Sequence, residues 1–198
     1  MSEAHHTFDI RAVDGDGASS TIERNYTVDL TPPDAALTGG PVDGGSGNDS
    51  TPTYAGTASD AGGVAAVQVS VDGAALSVAG VACSGCGTPD ATWTWTPPGA
   101  LADGPHSFSF EAVDGAGFNS PALGRTLTID TVAPNFVTLA GPSLVAQFSE
   151  PLSCASVARN DFSATVNGAS SKLKSVTCSG ALDDGIDIVL SGATLTSG

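Results

Sequence analysis

The sequence is poor in basic residues and in residues that favour helices. Its 198 residues include only two Lys, four Arg, two Gln and one Met, against 25 Gly and 12 Pro. Strong helix formers are therefore scarce, whereas turn formers and β-favouring residues are common. This composition predicts an all-β protein in which no helix exceeds a turn or two.

Long apolar runs and catalytic motifs are also missing. No run approaches the roughly 18 apolar residues that suggest a membrane span, and the first residues, MSEAHHTFDI, lack the basic and apolar regions of a secretory signal. Nucleophile elbows, HExxH zinc motifs, phosphate-binding loops and dinucleotide fingerprints are absent. We therefore expect this segment neither to insert into a membrane nor to be an enzyme.

The charge of the chain is strongly acidic. Twenty-one acidic residues, of which 17 are Asp, oppose six basic ones and give a net charge of −15. A field of this sign repels phosphate backbones, so nucleic acid is not an expected partner. Asp favours turns and also binds hard cations through oxygen. Two interpretations stay open at this point, namely a soluble acidic surface and a set of Ca²⁺ ligands.

An internal repeat defines the organisation of the chain. Residues 6–17 read HTFDIRAVDGDG and residues 106–117 read HSFSFEAVDGAG, and the match continues from NYTVDLTPP to TLTIDTVAP. The offset of about 100 residues is the size of one β-sandwich module. The repeat predicts a complete module over 34–134, preceded by the C-terminal strands of another copy over 1–33. His6 and His106 share one repeat position, which favours a structural role for them.

Hydrophobic residues alternate with polar ones in several segments of the predicted module. This period of two is typical of antiparallel strands with one buried face. The buried faces are predicted to carry Phe108, Phe110 and Ala112, Val67, Val69 and Val71, and Leu127 and Ile129. Trp93 and Trp95 also share one face of a strand, where they either fill the core or form a platform for stacking sugars.

The four cysteines form two pairs that are local in sequence. Cys154 and Cys178 are predicted to form a disulfide that closes a loop of about 25 residues. Cys83 and Cys86 belong to a CSGC loop, for which a redox site, half a zinc site and a local disulfide are the alternatives. A local disulfide is favoured because no thioredoxin-like βαβ pattern surrounds the loop. Disulfides indicate an oxidising compartment outside the cytosol.

Several segments in the same order resemble the bacterial Ig-like domains that occur in tandem in secreted and cell-surface proteins. They are TPTYAGTASD, VQVSVDG, WTWTPPGALADGPHSF, AVDGAG and IDTVAP. A second type of Ig-like module is expected over 135–198, without its last strand. The stretch that resembles it is SLVAQFSEPLSCASVARNDFSATVNG. The resemblance implies tandem Ig-like β-sandwiches with incomplete terminal modules, within a longer protein.

The resemblance also implies a function and partners. It indicates a spacer or stalk segment of an extracellular or surface-anchored, adhesin-like protein. The implied partners are neighbouring Ig-like modules, with a surface glycan or protein as a further candidate. The alternatives are a glycan- or protein-binding module and an accessory region of a secreted hydrolase.

Similar tandem modules hold Ca²⁺ at their junctions, which implies metal ligands here. Each repeat ends with an acidic turn and a second Asp before the Pro linker, and the expected ligands are Asp14, Asp29, Asp114 and Asp130. Asp60 and Asp49 are further sources of oxygen. The usual turn resembles D-x-A-G-N, whereas here Phe118 separates Gly117 from Asn119.

Overall fold

A computed structural model of the protein describes the backbone of residues 3–133, 135–140, 144–149, 164–166, 169–171, 175–179 and 187–191. The chain divides into two compact units, Met1–Thr131 and Val132–Gly198. All regular structure in the described residues is β, as the composition predicts. The described part of the chain also contains no helix that is long and apolar enough to cross a membrane.

The first unit contains ten strands in three sheets. The two-stranded sheet has the order β1-β2, and the four-stranded sheets have the orders β3-β5-β8-β7 and β4-β10-β9-β6. Their bounds are β1 Ala4–Val13, β2 Ser19–Val28, β3 Asp34–Gly39, β4 Gly45–Gly47, β5 Tyr54–Ser59, β6 Val64–Val71, β7 Val81–Ser84, β8 Asp90–Trp95, β9 Gly104–Asp114 and β10 Leu123–Ile129.

Within its described residues, the second unit has a four-stranded sheet of order β11-β12-β16-β15 and a two-stranded sheet β13-β14. Its strands are β11 Phe136–Ala140, β12 Leu144–Phe148, β13 Ala164–Val166, β14 Ala169–Ser171, β15 Ser175–Ser179 and β16 Asp187–Ser191. The predicted bridge between Cys154 and Cys178 involves side chains outside the described residues, so it stays a prediction.

The two four-stranded sheets of the first unit share one hydrophobic core. Tyr54 on β5 meets Phe110 on β9 with ring centroids 5.0 Å apart, and Trp93 on β8 stacks on Phe110 at 5.3 Å. The predicted inward positions on β6, β9 and β10 are confirmed, since the following residues are buried: Val67, Val69, Phe108, Phe110, Ala112, Leu127 and Ile129. Val71 is partly buried and packs against this core.

Both tryptophans of β8 belong to this core. Trp93 and Trp95 are each 2% exposed, so they do not form the sugar-stacking platform that was the alternative interpretation. Their indole N–H groups donate to backbone carbonyls, Trp93 to Thr57 at 3.3 Å and Trp95 to Ala79 at 3.0 Å. Because both indole N–H groups are hydrogen-bonded, the burial of each ring stabilises the fold.

The β1-β2 hairpin repeats the pairing of β9 and β10. Phe8 lies opposite Arg24 and Ile10 opposite Ile22, just as Phe108 lies opposite Arg125 and Phe110 opposite Leu123. The burial of the two pairs differs sharply. Ile10 is 63% exposed whereas Phe110 is fully buried, because the opposing sheet that covers Phe110 has no equivalent over the hairpin within the described residues.

The CSGC loop is closed by a disulfide between Cys83 and Cys86, as predicted, with the Cα atoms 5.8 Å apart. The bridge joins Cys83 on the edge strand β7 to Cys86 in the loop that follows it, and both cysteines pack against the core. A loop this short constrains the unfolded chain by about 2 kcal/mol in the chain-entropy treatment. The bridge therefore acts as a local clip between β7 and β8.

His106 ties three segments together through both ring nitrogens. Nδ1 lies 2.7 Å from Asp72 Oδ2 and Nε2 lies 2.8 Å from the Ala102 carbonyl oxygen. Asp72 Oδ1 accepts a further hydrogen bond from the Ser107 N–H at 2.8 Å. Because two acceptors face one imidazole, the geometry favours the protonated ring, and His106 has the structural role that its repeat position predicts.

These contacts shift the pKa of both partners. Bonding to the Ala102 carbonyl, and then to Asp72, raises the pKa of His106 above 6.5. Burial opposes ionisation of Asp72, but the Ser107 N–H and His106 outweigh it and lower the pKa of Asp72 below 3.8. The His106 contribution to stability is complete below pH 6.5 and is lost as the pH rises through the raised pKa. The Asp72 contribution is present above pH 3.8 and is lost as the pH falls through its lowered pKa.

The first prediction concerns Gly56 on β5. A Cβ atom there would overlap both the Trp93 indole and the Ala36 carbonyl oxygen. We expect Gly56→Ala to reduce the free energy of unfolding by about 1–3 kcal/mol, the usual cost of overpacking a core. Gly124 on β10 is the control, because a Cβ there meets no atom within 4 Å. Urea unfolding should show a near-neutral Gly124→Ala, and equal losses at both positions would contradict the packing described here.

The second prediction concerns pH. Between about pH 4 and 6.5 both the His106 and Asp72 contributions are present, so His106→Gln should destabilise the protein more at about pH 5.5 than at about pH 8.5. Urea unfolding at the two pH values measures this difference. In Asp72→Asn, NMR titration should give a lower pKa for His106 than in the parent protein. Equal losses of stability for His106→Gln at both pH values would show that the charged contact contributes nothing.

Candidate functional site

Three Asp side chains meet where the segment after the β1-β2 hairpin approaches the β-sandwich. Asp29, Asp60 and Asp114 each place one carboxylate oxygen so that all three oxygens lie within 4.8 Å of one another. Asp29 directly follows β2, Asp60 directly follows β5, and Asp114 is the last residue of β9. The cluster thus joins the segment that follows the hairpin to two loops of the β-sandwich.

Asp114 is held in place by its own turn. Its Oδ1 accepts hydrogen bonds from the N–H groups of Ala116, Gly117 and Phe118 at 2.9, 2.6 and 2.8 Å. The residue is 2% exposed, and its Oδ2 is buried with no hydrogen-bond partner. A buried carboxylate oxygen without a partner is costly. The orientation of Asp114 therefore fits a site that is completed by a cation.

The extra residue Phe118 takes part in the turn that holds Asp114. The Phe118 N–H donates to the carboxylate, while the side chain of Asn119 donates to Glu111 at 2.9 Å. Backbone N–H groups thus orient the acidic residue although the sequence of the turn departs from D-x-A-G-N.

Asp60 is oriented by the glycines that follow it. It is 8% exposed, and its Oδ1 accepts hydrogen bonds from the N–H groups of Gly62 at 2.7 Å and Gly63 at 3.1 Å. Gly62 is also the point at which Asp29 approaches, since a Cβ atom there would overlap Asp29 Oδ2. Only glycine at position 62 lets the two carboxylates come this close.

Asp29 is the most accessible of the three carboxylates. It is partly buried, and its Oδ1 accepts a hydrogen bond from the Thr31 N–H at 3.1 Å, which leaves Oδ2 on the Gly62 side. In all three residues one oxygen is bound by backbone N–H groups. Such contacts fix the direction of the second oxygen, as supporting hydrogen bonds do in metal sites.

The expected ligand set is only partly brought together. Asp29 and Asp114 lie in the cluster with Asp60, whereas Asp14 and Asp130 are not part of it. Asp14 forms the equivalent turn in the hairpin, accepting hydrogen bonds from Asp16 N–H at 3.1 Å and Ala18 N–H at 2.8 Å, but it is exposed. Asp49 accepts a hydrogen bond from the Thr51 N–H at 2.9 Å and caps its own turn.

The position of Asp130 is set by the sheet. It directly follows β10, and its backbone N–H donates to the Gly47 carbonyl at 3.0 Å. Its repeat position matches that of Asp29, which supplies the cluster from the end of β2. Asp60 is predicted from the sequence only as a further source of oxygen, because its proximity to Asp114 depends on how the loops after β5 and β9 come together.

Comparison with known proteins identifies the sandwich. The sequence profile of a family described as a bacterial Ig-like domain matches residues 33–131. No curated protein matches the sequence.

Solved structures resemble the chain only distantly. Dimeric latent PorU from Porphyromonas gingivalis is 15% identical, with a TM-score of 0.42 over 72% of this chain and 16% of that one. A mutant SrpA adhesin from Streptococcus sanguinis is 16% identical, with a TM-score of 0.34 over 57% of this chain and 67% of that one. The chain thus spans about a sixth of the length of the PorU protein.

Proposed function

The chain belongs to the bacterial Ig-like domain family through residues 33–131, and from this premise we propose that it is a spacer segment of an extracellular or surface-anchored protein. Its role is mechanical and not enzymatic. The observation that carries the proposal is the Asp29–Asp60–Asp114 cluster, because it links the residues that follow one strand pair to the loops of the next sandwich. A bound cation turns that link into a stiff joint.

Calcium is the proposed ion. It binds oxygen ligands at about 2.3–2.6 Å, so two oxygens on one ion are separated by at most about 5 Å. The separation of up to 4.8 Å in the cluster satisfies that limit. Carboxylates are hard ligands, and the site offers no nitrogen or sulfur ligand that would favour zinc. Backbone carbonyls and water complete the coordination shell.

The charge of the cluster makes the joint dependent on the ion. Three carboxylates this close repel one another when no cation is present, and the low exposure of Asp60 and Asp114 weakens the screening by solvent. A divalent cation replaces this repulsion with attraction. The stabilisation by the cation therefore acts at the junction, which is where a spacer must resist bending.

The β1-β2 hairpin is proposed to be the last strand pair of a further Ig-like module. Its register matches that of β9 and β10, and its apolar face is exposed. In the sandwich the equivalent face is covered by the sheet that carries Tyr54, Trp93 and Trp95. A sheet of the same kind over the hairpin completes a second module, so that Asp29 sits between two sandwiches.

An extracytoplasmic location is part of this proposal. The Cys83–Cys86 disulfide is consistent with an oxidising compartment, and extracellular calcium reaches concentrations that weak carboxylate sites can use. The neighbouring partners are Ig-like modules of the same protein. Two alternatives remain for the rest of the protein. The spacer holds an adhesive domain in one of them and the catalytic domain of a secreted hydrolase in the other.

The third prediction tests the ion. Adding Ca²⁺ should raise the melting temperature, since a ligand at 100 times its Kd stabilises by about 2.7 kcal/mol. Asp114→Asn keeps the Oδ1 acceptor of the turn but removes the charge, so it should abolish the response to Ca²⁺. Asp14→Asn changes the equivalent exposed turn and should retain the full response. An unchanged melting temperature of the parent protein at millimolar Ca²⁺ would exclude the site.

The fourth prediction tests the joint itself. With Ca²⁺ bound, ¹⁵N relaxation should show the amides of the β1-β2 hairpin tumbling together with those of residues 33–131. Without Ca²⁺, or in Asp29→Asn, the hairpin should move on a faster timescale while β9 is unaffected. If Ca²⁺ raises the melting temperature but leaves hairpin relaxation unchanged, the ion binds without stiffening the junction, and the spacer mechanism is wrong.

A further inference from the structure

A polar cleft lies beside the end of β3, separate from the acidic cluster. Its volume is about 380 Å³. Its walls are the loop that follows β3, Tyr54 from β5 and Arg125 from β10. We propose that this cleft binds a neutral saccharide, with two neighbouring hydroxyl groups of the sugar held by Arg125 and Asp43.

The walls of the cleft are held rigidly. Gly40 has a φ of +133°, and a Cβ atom there would overlap the Tyr54 ring, so the loop backbone lies directly on the ring. Asp43 Oδ1 accepts hydrogen bonds from the Thr126 N–H at 2.8 Å and the Thr126 hydroxyl at 3.1 Å. The Gly44 N–H donates to the Thr126 carbonyl at 3.0 Å. A loop fixed in this way loses little freedom when a ligand binds.

Two polar groups of the cleft have hydrogen-bonding capacity to spare. Arg125 has five N–H donors, and its one hydrogen bond among the described residues runs from Nη1 to the carbonyl oxygen of the preceding residue, Gly124, at 2.7 Å. The hydrogen bonds of Asp43 use Oδ1 and leave Oδ2 available. The ring of Tyr54 contributes a wall of the cleft, while its hydroxyl is buried.

The charges of the cleft select a neutral ligand. Arg125 is the only Lys or Arg in residues 33–131, a segment with ten acidic residues, so an anionic ligand is repelled by its surroundings. Hydrogen bonds from Thr126, together with the nearby Arg125 charge, lower the pKa of Asp43 and keep it ionised. The guanidinium and the carboxylate therefore cancel in charge.

One donor and one acceptor on the walls of the cleft are the groups that a vicinal diol can bind. One hydroxyl group accepts from the guanidinium of Arg125, and the neighbouring hydroxyl donates to Asp43 Oδ2. Pro41 and Val42 add an apolar rim, and Val42 is 80% exposed. Such a rim suits the C–H face of a pyranose ring. A mixture of a few polar groups and an apolar wall is typical of small-molecule sites.

The test uses the whole chain and a panel of methyl glycosides of mannose, glucose and galactose. NMR titration should give saturable shifts for the amides of Gly40, Asp43 and Gly44 and for the Arg125 side-chain N–H with at least one member of the panel. Glucuronate serves as the anionic comparison and should bind at least several-fold more weakly. No saturable shift with any glycoside overturns the proposal, and so does tighter binding of glucuronate.

Two variants locate the binding to the cleft. Arg125→Gln should weaken the affinity at least about tenfold, as the loss of a charged hydrogen-bond donor does. Arg24→Gln, at the equivalent position of the hairpin opposite Phe8, should bind like the parent protein. Unchanged affinity in Arg125→Gln overturns the assignment.

Discussion

The packing of Tyr54, Trp93 and Trp95 from one sheet against Phe108 and Phe110 from the other is the contact on which the sandwich depends. Ring centroids of 5.0–5.8 Å across the interface provide both the largest apolar burial of the module and a fixed spacing between its sheets. Phe108 and Phe110 belong to β9, so this packing also holds β9 in place. Asp114 is the last residue of β9, so the position of the acidic cluster depends on the core.

The same cluster of aromatic rings also supports the polar cleft, because Tyr54 belongs to both. Tyr54 packs its ring among Trp95, Phe108 and Phe110 and lies under the backbone of Gly40. Burial raises the pKa of its phenol above 10, so the hydroxyl stays protonated in mildly alkaline solution as well as at neutral pH. One core residue thus belongs both to the scaffold and to a surface feature. The module consequently needs no long loops to position its polar groups.

Much of the fold could be predicted from the sequence because it depends on local patterns. Alternation along β9 identified Phe108 and Phe110 as buried, and the closely spaced cysteines identified the bridge that closes their loop. The cluster could be predicted only in part, since Asp60 meets Asp114 through the loops after β5 and β9. The cleft could not be predicted at all, because Asp43 and Thr126 are joined across 83 positions of sequence by the register of the sheet. No periodicity in a single sequence encodes that register.

The two copies of the acidic turn show how context changes the chemistry of one motif. In both copies an Asp carboxylate accepts backbone N–H groups of the following turn. Asp14 is nevertheless exposed, whereas Asp114 is buried beside Asp29 and Asp60. The local hydrogen bonds therefore account for the shape of the turn but not for the meeting of three carboxylates. That cluster requires carboxylates from a second loop and from the residue that follows β2, so it arises only where two consecutive structural elements meet. The proposed stiffening of the spacer therefore depends on where a charged turn lies and not on the turn itself.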